Sequence, residues 1–294
     1  MRKIIFWIPQ GRIGNLIFQY QAVTSIYSKK EMIITVDTGF LSFFQDRRNI
    51  IFLKIPSLFL RRFVTCWTKL LRLFVLCGVF SECRPKLFEV IPGFFDETKH
   101  IELKLGLFKK IIVFEGFFQN ESYLKNLPAI RKNLLEEARI ELAKLPSGFK
   151  VALHLRFGDY QRLSVLGKVG ATLPKDYYFH CIEKMKAIYP KCTFIVFTDD
   201  VDKSNKLLKN ITNIKFIRVK SEQFDFSAIT LCGAAIISAS TFSWWAAKYI
   251  TGSKKIIMAP EYWMGFKSNI WFPRFIKSNS IQYIKAKGFD YEEF

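Results

Sequence analysis

Short apolar runs alternate with longer amphipathic stretches through the second half of the chain, and glycine, proline or aspartate bounds most of the runs. Runs of this length predict buried strands, whereas the stretches between them have the apolar spacing of helices. Strands alternating with helices imply right-handed βαβ crossovers and a parallel sheet. The predicted strands are Lys150–Leu155, Thr193–Thr198, Ile214–Val219, Ala234–Ser238 and Lys255–Ala259. The predicted helices are Pro174–Ile188, Val201–Lys209, Asp225–Cys232 and Thr241–Thr251.

The first half begins in the same way and then loses its regular pattern. It predicts a strand over Lys3–Ile8, a helix over Asn15–Lys29 and a strand over Met32–Asp37; further on come a strand over Ile111–Phe117 and a helix over Ser122–Leu145. Pro146-Ser147-Gly148 is the strongest punctuation between the two halves. We therefore predict an α/β protein with two domains, residues 1–147 and 148–294, each built on a parallel sheet.

The segment from Phe226 to Ala247 carries no charge and is long enough to suggest a membrane span. Gly233 and several serine and threonine residues interrupt it, so we predict a buried helix, a strand and a second helix instead. The apolar run between Lys3 and Pro9 is too short for a secretory signal. The 294-residue chain is 50% hydrophobic and 16% aromatic, which predicts a sizeable core and excludes global disorder.

The chain carries 45 basic and 25 acidic residues, a formal net charge of +20. Such a charge suits nucleic acid, an anionic membrane surface or an anionic substrate. The basic residues are spread over both halves and no RNP-like or helix-turn-helix pattern is present, so a nucleic-acid-binding protein is the weaker alternative. The six cysteines form no C-x-x-C pair, and we expect them to be small core residues in a reducing compartment.

A basic amphipathic insertion covers about residues 47–81. It contains seven basic residues and no acidic one, interleaved with bulky apolar side chains. This pattern describes a helix at an anionic membrane interface, or a helix that packs on the N-terminal sheet with a solvated basic face. We favour membrane contact, and the apolar side chains expected to enter the interface are Phe59, Leu60, Trp67 and Leu71.

Three loops of the second half each follow a predicted strand and offer ligands for phosphate or sugar. The first carries Arg156, whose guanidinium matches phosphate oxygens two at a time. The second carries Asp199, and the third, residues 240–243, begins a helix whose backbone N–H groups favour anions. Three such loops at one edge of a sheet predict a nucleotide diphosphate site. The alternatives are an ion pair of Arg156 with Asp159 and plain helix capping by the third loop.

Two further motifs give weaker evidence about function. The turn Gly11-Arg12-Ile13-Gly14-Asn15 joins a strand to a helix but lacks both G-x-G-x-x-G and the Gly-Lys-Ser/Thr ending of a P-loop. It therefore argues against a nicotinamide enzyme and a P-loop NTPase. Asp200 and Asp202 match a D-x-D metal pattern, but they begin a predicted helix, so we expect capping carboxylates and no metal.

Several ordered blocks resemble bacterial α-1,2-fucosyltransferases, glycosyltransferase family 11. The block around Arg156 together with the F-S-W-W block is specific to that family. Phe157 departs from the family pattern, which usually has a second arginine there, and Leu16 replaces a usual glutamine. The blocks are Gly11-Arg12-Ile13-Gly14-Asn15 with Phe18-Gln19-Tyr20, Gly116-Phe117-Phe118-Gln119 with Glu121 and Tyr123, His154-Leu155-Arg156-Phe157-Gly158-Asp159-Tyr160, Thr198-Asp199-Asp200, Ser240-Thr241-Phe242-Ser243-Trp244-Trp245, and Ala259-Pro260 with Trp263.

The resemblance implies a GT-B-like fold of two Rossmann-like domains, with GDP-β-L-fucose bound by the C-terminal one and a glycan acceptor on the N-terminal side. It implies inverting transfer of L-fucose, to the 2-OH of a galactoside in a surface glycan, without an essential metal or other cofactor. Another nucleotide sugar is the alternative donor. We expect a cytoplasmic protein, peripheral on the inner face of a bacterial membrane, whose acceptor is lipid-linked.

The same resemblance yields a set of candidate site residues. The general base is left open, with Asp159 ranked first and His154 and Glu115 behind it; Asn15 would orient the nucleophile. The expected catalytic residues are Arg156, Asp159, His154 and Asn15. The expected donor-binding residues are Arg12, Gly14, Arg156, Asp199, Ser240, Thr241, Phe242 and Ser243.

Overall fold

A computed structural model describes residues 2–45, 50–125, 127–217 and 221–286. The chain divides into two compact units, Met1–Arg131 and Lys132–Phe294. The division comes earlier in the chain than the Pro146-Ser147-Gly148 boundary predicted from the sequence. The helix Lys132–Ala143 belongs to the second unit, where it packs against the helix Glu222–Thr230.

Unit 2 contains a six-stranded sheet in which every neighbouring pair is parallel. A two-stranded antiparallel ribbon formed by two very short strands lies outside that sheet. The helices are α4 (Lys132–Ala143), α5 (Lys175–Ile188), α6 (Val201–Leu208), α7 (Glu222–Thr230) and α8 (Thr241–Lys248). The strands are β9 (Lys150–Leu155), β10 (Ser164–Val165), β11 (Lys168–Val169), β12 (Thr193–Thr198), β13 (Ile214–Phe216), β14 (Ala234–Ile236), β15 (Ile257–Pro260) and β16 (Gln282–Ile284).

The strand order of this sheet is β13-β12-β9-β14-β15-β16. Counted along the chain, that is 3-2-1-4-5-6, the order of a doubly wound dinucleotide-binding sheet. The order reverses between β9 and β14, and ligands of such sheets bind at the carboxyl ends of the strands at this reversal. The fully buried β9 and β14 therefore direct attention to the loops that follow Leu155 and Ile236.

Unit 1 is built on a second six-stranded sheet, ordered β4-β2-β1-β7-β5-β6, in which only β5 and β6 are antiparallel. The helices are α1 (Ile13–Ile26), α2 (Phe40–Phe43) and α3 (Ser57–Leu76). The strands are β1 (Ile4–Trp7), β2 (Met32–Val36), β3 (Phe44–Gln45), β4 (Ile50–Leu53), β5 (Phe80–Ile91), β6 (Phe94–Lys104), β7 (Phe108–Phe114) and β8 (Ala129–Ile130), of which β3 pairs with β8.

The hairpin β5–β6 was missed by the sequence patterns. Its strands lie at the sheet edge, and many of their side chains are exposed on both faces, so apolar and polar residues do not alternate cleanly. Register shifts near Pro85 and Glu89 disturb the pattern further. The predicted helix over Ser122–Leu145 was also wrong in its first half, because the chain forms the short strand β8 after Pro128 and begins α4 at Lys132.

Helix α3 occupies most of the basic segment, of which Arg47 and Arg48 lie outside the described residues. Leu71 is buried against Ile8 and Val113 of the sheet, and Trp67 packs edge-on against Phe6 at 5.5 Å between ring centroids. The helix is therefore anchored to the sheet along one side. Two of the side chains expected to enter a membrane, Trp67 and Leu71, face the sheet instead.

No helix in the described part of the chain is long and apolar enough to cross a membrane. The uncharged segment from Phe226 onward forms most of α7, then β14 and the start of α8, so the helix–strand–helix prediction is confirmed. The cysteine prediction holds in part: Cys83, Cys181, Cys192 and Cys232 are buried, whereas Cys66 and Cys77 are exposed on or beside α3.

Candidate functional site

The end of β9, with the loop that follows it, is joined to the loop after β14 by a buried polar contact. His154 Nδ1 lies 2.8 Å from Ser238 Oγ, and both side chains are almost fully buried. The hydroxyl of Tyr160 donates to the carbonyl of Ala239 at 3.0 Å, which adds a second link between the same two loops. Side chains from two blocks that are far apart in the sequence therefore contact each other where the strand order reverses.

Arg156 lies at the centre of this region, immediately after β9. Its guanidinium donates to Asp159 Oδ1 at 2.6 Å and lies 3.2 Å from Asp199 Oδ2. The alternative ion pair with Asp159 therefore does form, but a second carboxylate from the loop after β12 shares the guanidinium. Since a guanidinium has five N–H donors, two carboxylates hold its plane without using all of them. Arg156 also lies over the Tyr160 ring, 5.4 Å from the centroid.

Asp199 has a further role that the sequence did not reveal. Its Oδ1 accepts the backbone N–H of Phe157 at 2.9 Å, so one carboxylate fixes both the Arg156 side chain and the loop backbone beside it. A Cβ at position 158 would lie 2.5 Å from Asp199 Oδ2. Gly158 is therefore required because the carboxylate approaches the backbone too closely for any side chain.

Burial sets the protonation behaviour of the neighbouring groups. Desolvation, together with the Arg156 charge, lowers the pKa of His154 to about 3. Its imidazole is therefore neutral at physiological pH and a weak base, suited to holding Ser238. Burial also raises the pKa of Tyr160 to about 12, so its hydroxyl keeps its proton and acts as a hydrogen-bond donor.

The third predicted loop leads into α8. Ser240 occupies the N-cap position in an extended conformation, but its side chain makes no capping hydrogen bond. The hydroxyl of the buried Ser243 donates back to the Ser240 carbonyl at 3.1 Å. Plain capping therefore does not explain this serine-rich start, whose first-turn N–H groups and dipole attract an anion. Phe242 packs beside His154 at 5.9 Å between ring centroids.

Three residues of the recognised blocks are core residues. Phe157 is buried in the cluster with Leu155 and Tyr178, so an apolar side chain fits this position of the chain. Trp244 and Trp245 are fully buried and contact each other edge-on at 4.8 Å. The tryptophans of the F-S-W-W block are thus core residues of unit 2, in the helix that packs against α7.

The predicted site residues of unit 1, Arg12, Gly14 and Asn15, lie at the start of α1, where Arg12 is the N-cap residue. Asn15 Oδ1 accepts the side-chain amide of Gln119, the last residue of the block that follows β7, at 2.8 Å. Gly11 has φ +75, and a Cβ there would lie 2.3 Å from Asn15 Nδ2. Arg12 is exposed and precedes α1, whereas Gly14 is buried.

A polar network in unit 1 was not predicted. The buried Gln19 amide accepts from Trp7 Nε1 at 2.9 Å and donates to the Gln10 carbonyl at 2.7 Å, which fixes the turn after β1. The Gln10 side chain in turn donates to Glu115 Oε1 at 2.8 Å, and Arg72 from α3 pairs with the same carboxylate. Gln19 lay within a recognised block, but nothing in the sequence paired Glu115 with Arg72.

Glu97 of β6 supports the loop after β7. Its carboxylate accepts the backbone N–H groups of Phe117 and Phe118 at 2.6 and 2.5 Å. Burial raises the pKa of Glu97 to about 7, although these two donors oppose the shift. The loop backbone is also constrained at Gly116, where φ is +145 and a Cβ would lie 2.5 Å from the ring of Pro85.

Asp200 behaves as a capping residue, since its side chain accepts the N–H of Lys203 at 3.0 Å at the start of α6. Asp202 follows in the first turn and is exposed. Among the described residues, no cluster of three or more His, Cys, Asp or Glu side chains is arranged to hold a metal ion.

Two curated proteins of Escherichia coli are similar to this chain. The alpha-1,2-colitosyltransferase is 27% identical over 179 residues, which cover 58% of this chain and 62% of that protein. The O-antigen biosynthesis glycosyltransferase WbnK is 33% identical over 117 residues, 38% of each chain. The chain thus spans less than two thirds of the length of these relatives.

Solved fucosyltransferase structures share the fold. The NodZ alpha-1,6-fucosyltransferase soaked with GDP-fucose matches 85% of this chain and 93% of its own, with a TM-score of 0.50 and 13% identity. The POFUT1 complex with GDP matches 88% of this chain and 98% of its own, with a TM-score of 0.50 and 15% identity. The predicted fold class, α/β and GT-B-like with two Rossmann-like units, is confirmed.

The sequence profile described as glycosyl transferase family 11 matches residues 104–269. This match runs from the end of β6 to beyond β15 and includes the Arg156 block, the Asp199 loop and the F-S-W-W block. Since it covers more than half of the chain, the protein belongs to glycosyl transferase family 11.

Proposed function

We propose that the protein transfers L-fucose from GDP-β-L-fucose to a hydroxyl of a surface-glycan acceptor, with inversion at the anomeric carbon. The observation that carries the proposal is the guanidinium of Arg156, held by Asp159 and Asp199 at the strand reversal. Tyr160, over whose ring Arg156 lies, bonds to the carbonyl of Ala239 just before α8 and so links this loop to the start of that helix. A fixed cation next to a helix N-terminus suits a diphosphate. The 2-OH of a galactoside is the proposed acceptor group, in keeping with the α-1,2 relative.

The chemistry asks for charge stabilisation at the leaving group. The bond from the anomeric carbon to the β-phosphate oxygen breaks with its electron pair moving to GDP, while the acceptor oxygen bonds to the opposite face of the sugar. Arg156 and the first turn of α8 would neutralise the charge that develops on the phosphate. Preorganised donors of this kind contribute roughly 3–4 kcal/mol each to lowering a barrier.

The acceptor hydroxyl must also lose its proton to a base. Of the candidates, His154 is buried and has a pKa of about 3, which makes it a poor base. Glu115 is bound to Arg72 and Gln10 in unit 1. Asp159 also pairs with an arginine, Arg156, but its side chain is 60% exposed, against 15% for Glu115, so it remains our first choice.

The direct test measures donor selectivity. Purified protein is heated with GDP, UDP, ADP or an oligonucleotide. Transfer of fucose from GDP-fucose to soluble galactosides is measured separately, as release of GDP and formation of the fucosylated product. We expect GDP to raise the melting temperature selectively and turnover to require a galactoside. Stabilisation by UDP or ADP instead would point to another nucleotide sugar, and stabilisation by the oligonucleotide alone would overturn the enzyme proposal.

A second donor has specific support. A relative at 27% identity is a colitosyltransferase, so the alternative is transfer of colitose by the same site. Phe157 stands where the family usually has arginine, so one polar contact of the usual site is absent from this position. Competition between nucleotide-activated fucose and colitose under equal concentrations separates the two, because the preferred donor has the higher kcat/KM.

We propose that transfer needs no divalent metal. Asp200 caps α6 and Asp202 is exposed, so the two carboxylates are not arranged as a pair to hold a metal ion bound to the diphosphate. Activity in excess EDTA should stay within about twofold of the untreated enzyme, and Asp202→Asn should be equally mild. Loss of turnover on chelation, with recovery on adding Mn²⁺ or Mg²⁺, would contradict this.

We further propose that the protein acts at the inner face of a bacterial cytoplasmic membrane on a lipid-linked glycan. The O-antigen relative supports a surface-glycan acceptor. The basic residues Arg61, Arg62 and Lys69 are exposed on α3, which suits an anionic surface, whereas Arg72 is occupied by Glu115. Activity on a synthetic lipid-linked galactoside in vesicles, compared with the same galactoside in free form, tests the acceptor.

A further inference from the structure

Five large apolar side chains are exposed together where α3 ends and β6 connects to β7. They come from two chain segments, and each is between 52% and 83% exposed. Single exposed apolar residues are common, but a cluster of this kind marks an interaction surface. We call this cluster the apolar tip; it consists of Leu73, Leu76, Leu105, Leu107 and Phe108.

The helix end brings the two segments into contact. Gly78 has φ +68, the N–H of Val79 donates to the Phe74 carbonyl and that of Gly78 to the Val75 carbonyl, both at 2.9 Å. These bonds form a Schellman motif, which ends the helix sharply and turns the chain. The carbonyl of Gly78 accepts the N–H of Leu107 at 2.8 Å, which joins the end of α3 to the segment between β6 and β7.

The connection between β6 and β7 packs closely against the residues that follow α3. Gly106 donates its N–H to Ser81 Oγ at 3.1 Å, and a Cβ at this position would lie 2.4 Å from the Phe80 carbonyl oxygen. Below it, the rings of Phe74 and Phe80 stack at 4.7 Å. The apolar tip is therefore exposed on a well-packed support.

The charge around the apolar tip has one sign. Lys69, Lys104, Lys109 and Lys110 are exposed on the same two segments, and residues 103–110 contain no acidic residue. The neighbouring carboxylates Glu82 and Glu102 both pair with Arg84, at 3.5 and 3.7 Å. Lysines that surround an apolar cluster match an anionic lipid surface, in which leucines enter the interface while ammonium groups contact phosphates.

We propose that the apolar tip inserts into the interface of an anionic lipid bilayer and is the membrane-contact site of this protein. A second copy of the chain is a poorer occupant, because its own lysines and its net charge of +20 would repel the lysines around the apolar tip. The site differs from the one expected along α3, since Trp67 and Leu71 pack on the sheet. The inference depends on neither the donor nor the acceptor.

The experiment is co-sedimentation with vesicles of phosphatidylglycerol and phosphatidylcholine, compared with pure phosphatidylcholine. We expect wild-type protein to partition at least about tenfold more strongly onto the anionic vesicles at low salt, and to be released above a few hundred millimolar salt. The double variant Leu76→Ser/Leu107→Ser and the triple variant Lys104→Gln/Lys109→Gln/Lys110→Gln should each lose about tenfold or more of that partitioning.

Matched controls are available in unit 2. Ile188→Ser/Val169→Ser removes two exposed apolar side chains, and Lys184→Gln/Lys206→Gln/Lys209→Gln removes the same charge; both should bind as wild type. Equal binding to neutral vesicles, or equal losses in the controls, would overturn the site. So would a wild-type dimer that the leucine variant converts to monomer, since the apolar tip would then be a subunit interface. The melting temperature and the far-UV circular dichroism spectrum of each variant check that it remains folded.

Discussion

Replacing Arg156 with alanine should lower kcat/KM by at least about 100-fold, and replacement with lysine by nearly as much. The guanidinium is oriented by Asp159 at 2.6 Å and Asp199 at 3.2 Å, and it would present its remaining donors to the diphosphate. Lysine keeps the charge but is a single point donor, so it cannot bridge two carboxylates and still bind phosphate bidentately. The measurement is donor kinetics at saturating acceptor, with GDP affinity from thermal shift.

Arg162 provides the matched control. It lies on the same loop and is exposed, so Arg162→Ala should retain activity within about twofold. If Arg156 served only as a structural ion pair, Arg156→Ala would lower the melting temperature and leave the kinetics of the folded fraction unchanged. A variant that keeps more than about a third of wild-type kcat/KM would show that the phosphate contact is made elsewhere.

Much of unit 2 could be predicted because its central strands are buried on both faces. Continuous apolar runs such as Thr193–Thr198 stand out from the amphipathic helices between them, and β9 and β12 begin and end where the pattern placed them. The parallel order then fixes which loops share an edge. The three candidate loops could be singled out for this reason, since each follows such a strand.

Unit 1 was harder to predict for physical reasons. The hairpin β5–β6 is stabilised by pairing at an exposed edge, where side-chain burial imposes little pattern. Site contacts that depend on the approach of distant segments, such as Gln119 to Asn15 or Glu97 to the Phe117 backbone, leave no local signature. In unit 2, Asp199 is a similar case. The sequence predicted that it binds a ligand, but its ion pair with Arg156 depends on the tertiary structure and has no local sequence signature.

Asp199 gives the second large effect that we expect. Asp199→Asn should lower kcat/KM by about 10- to 100-fold, because the amide oxygen can still accept the Phe157 N–H while the amide nitrogen faces the guanidinium as a second donor. Gly158→Ala should cause a comparable loss, since its methyl group would lie 2.5 Å from the carboxylate and displace it. Asp202→Asn, an exposed aspartate in α6, is the control and should be nearly silent.

A double-mutant cycle distinguishes positioning of Arg156 from a separate contact of Asp199 with substrate. If Asp199 acts through the guanidinium, adding Asp199→Asn to Arg156→Lys should cost little beyond the single lysine change. Losses that multiply would mean that the two residues act independently and would contradict the positioning role. Melting temperatures of all four proteins must be measured alongside, because Asp199 also holds the loop backbone. In Asp199→Asn a neutral oxygen replaces a charged one as the acceptor of the Phe157 N–H, so we expect a stability loss of about 1 kcal/mol.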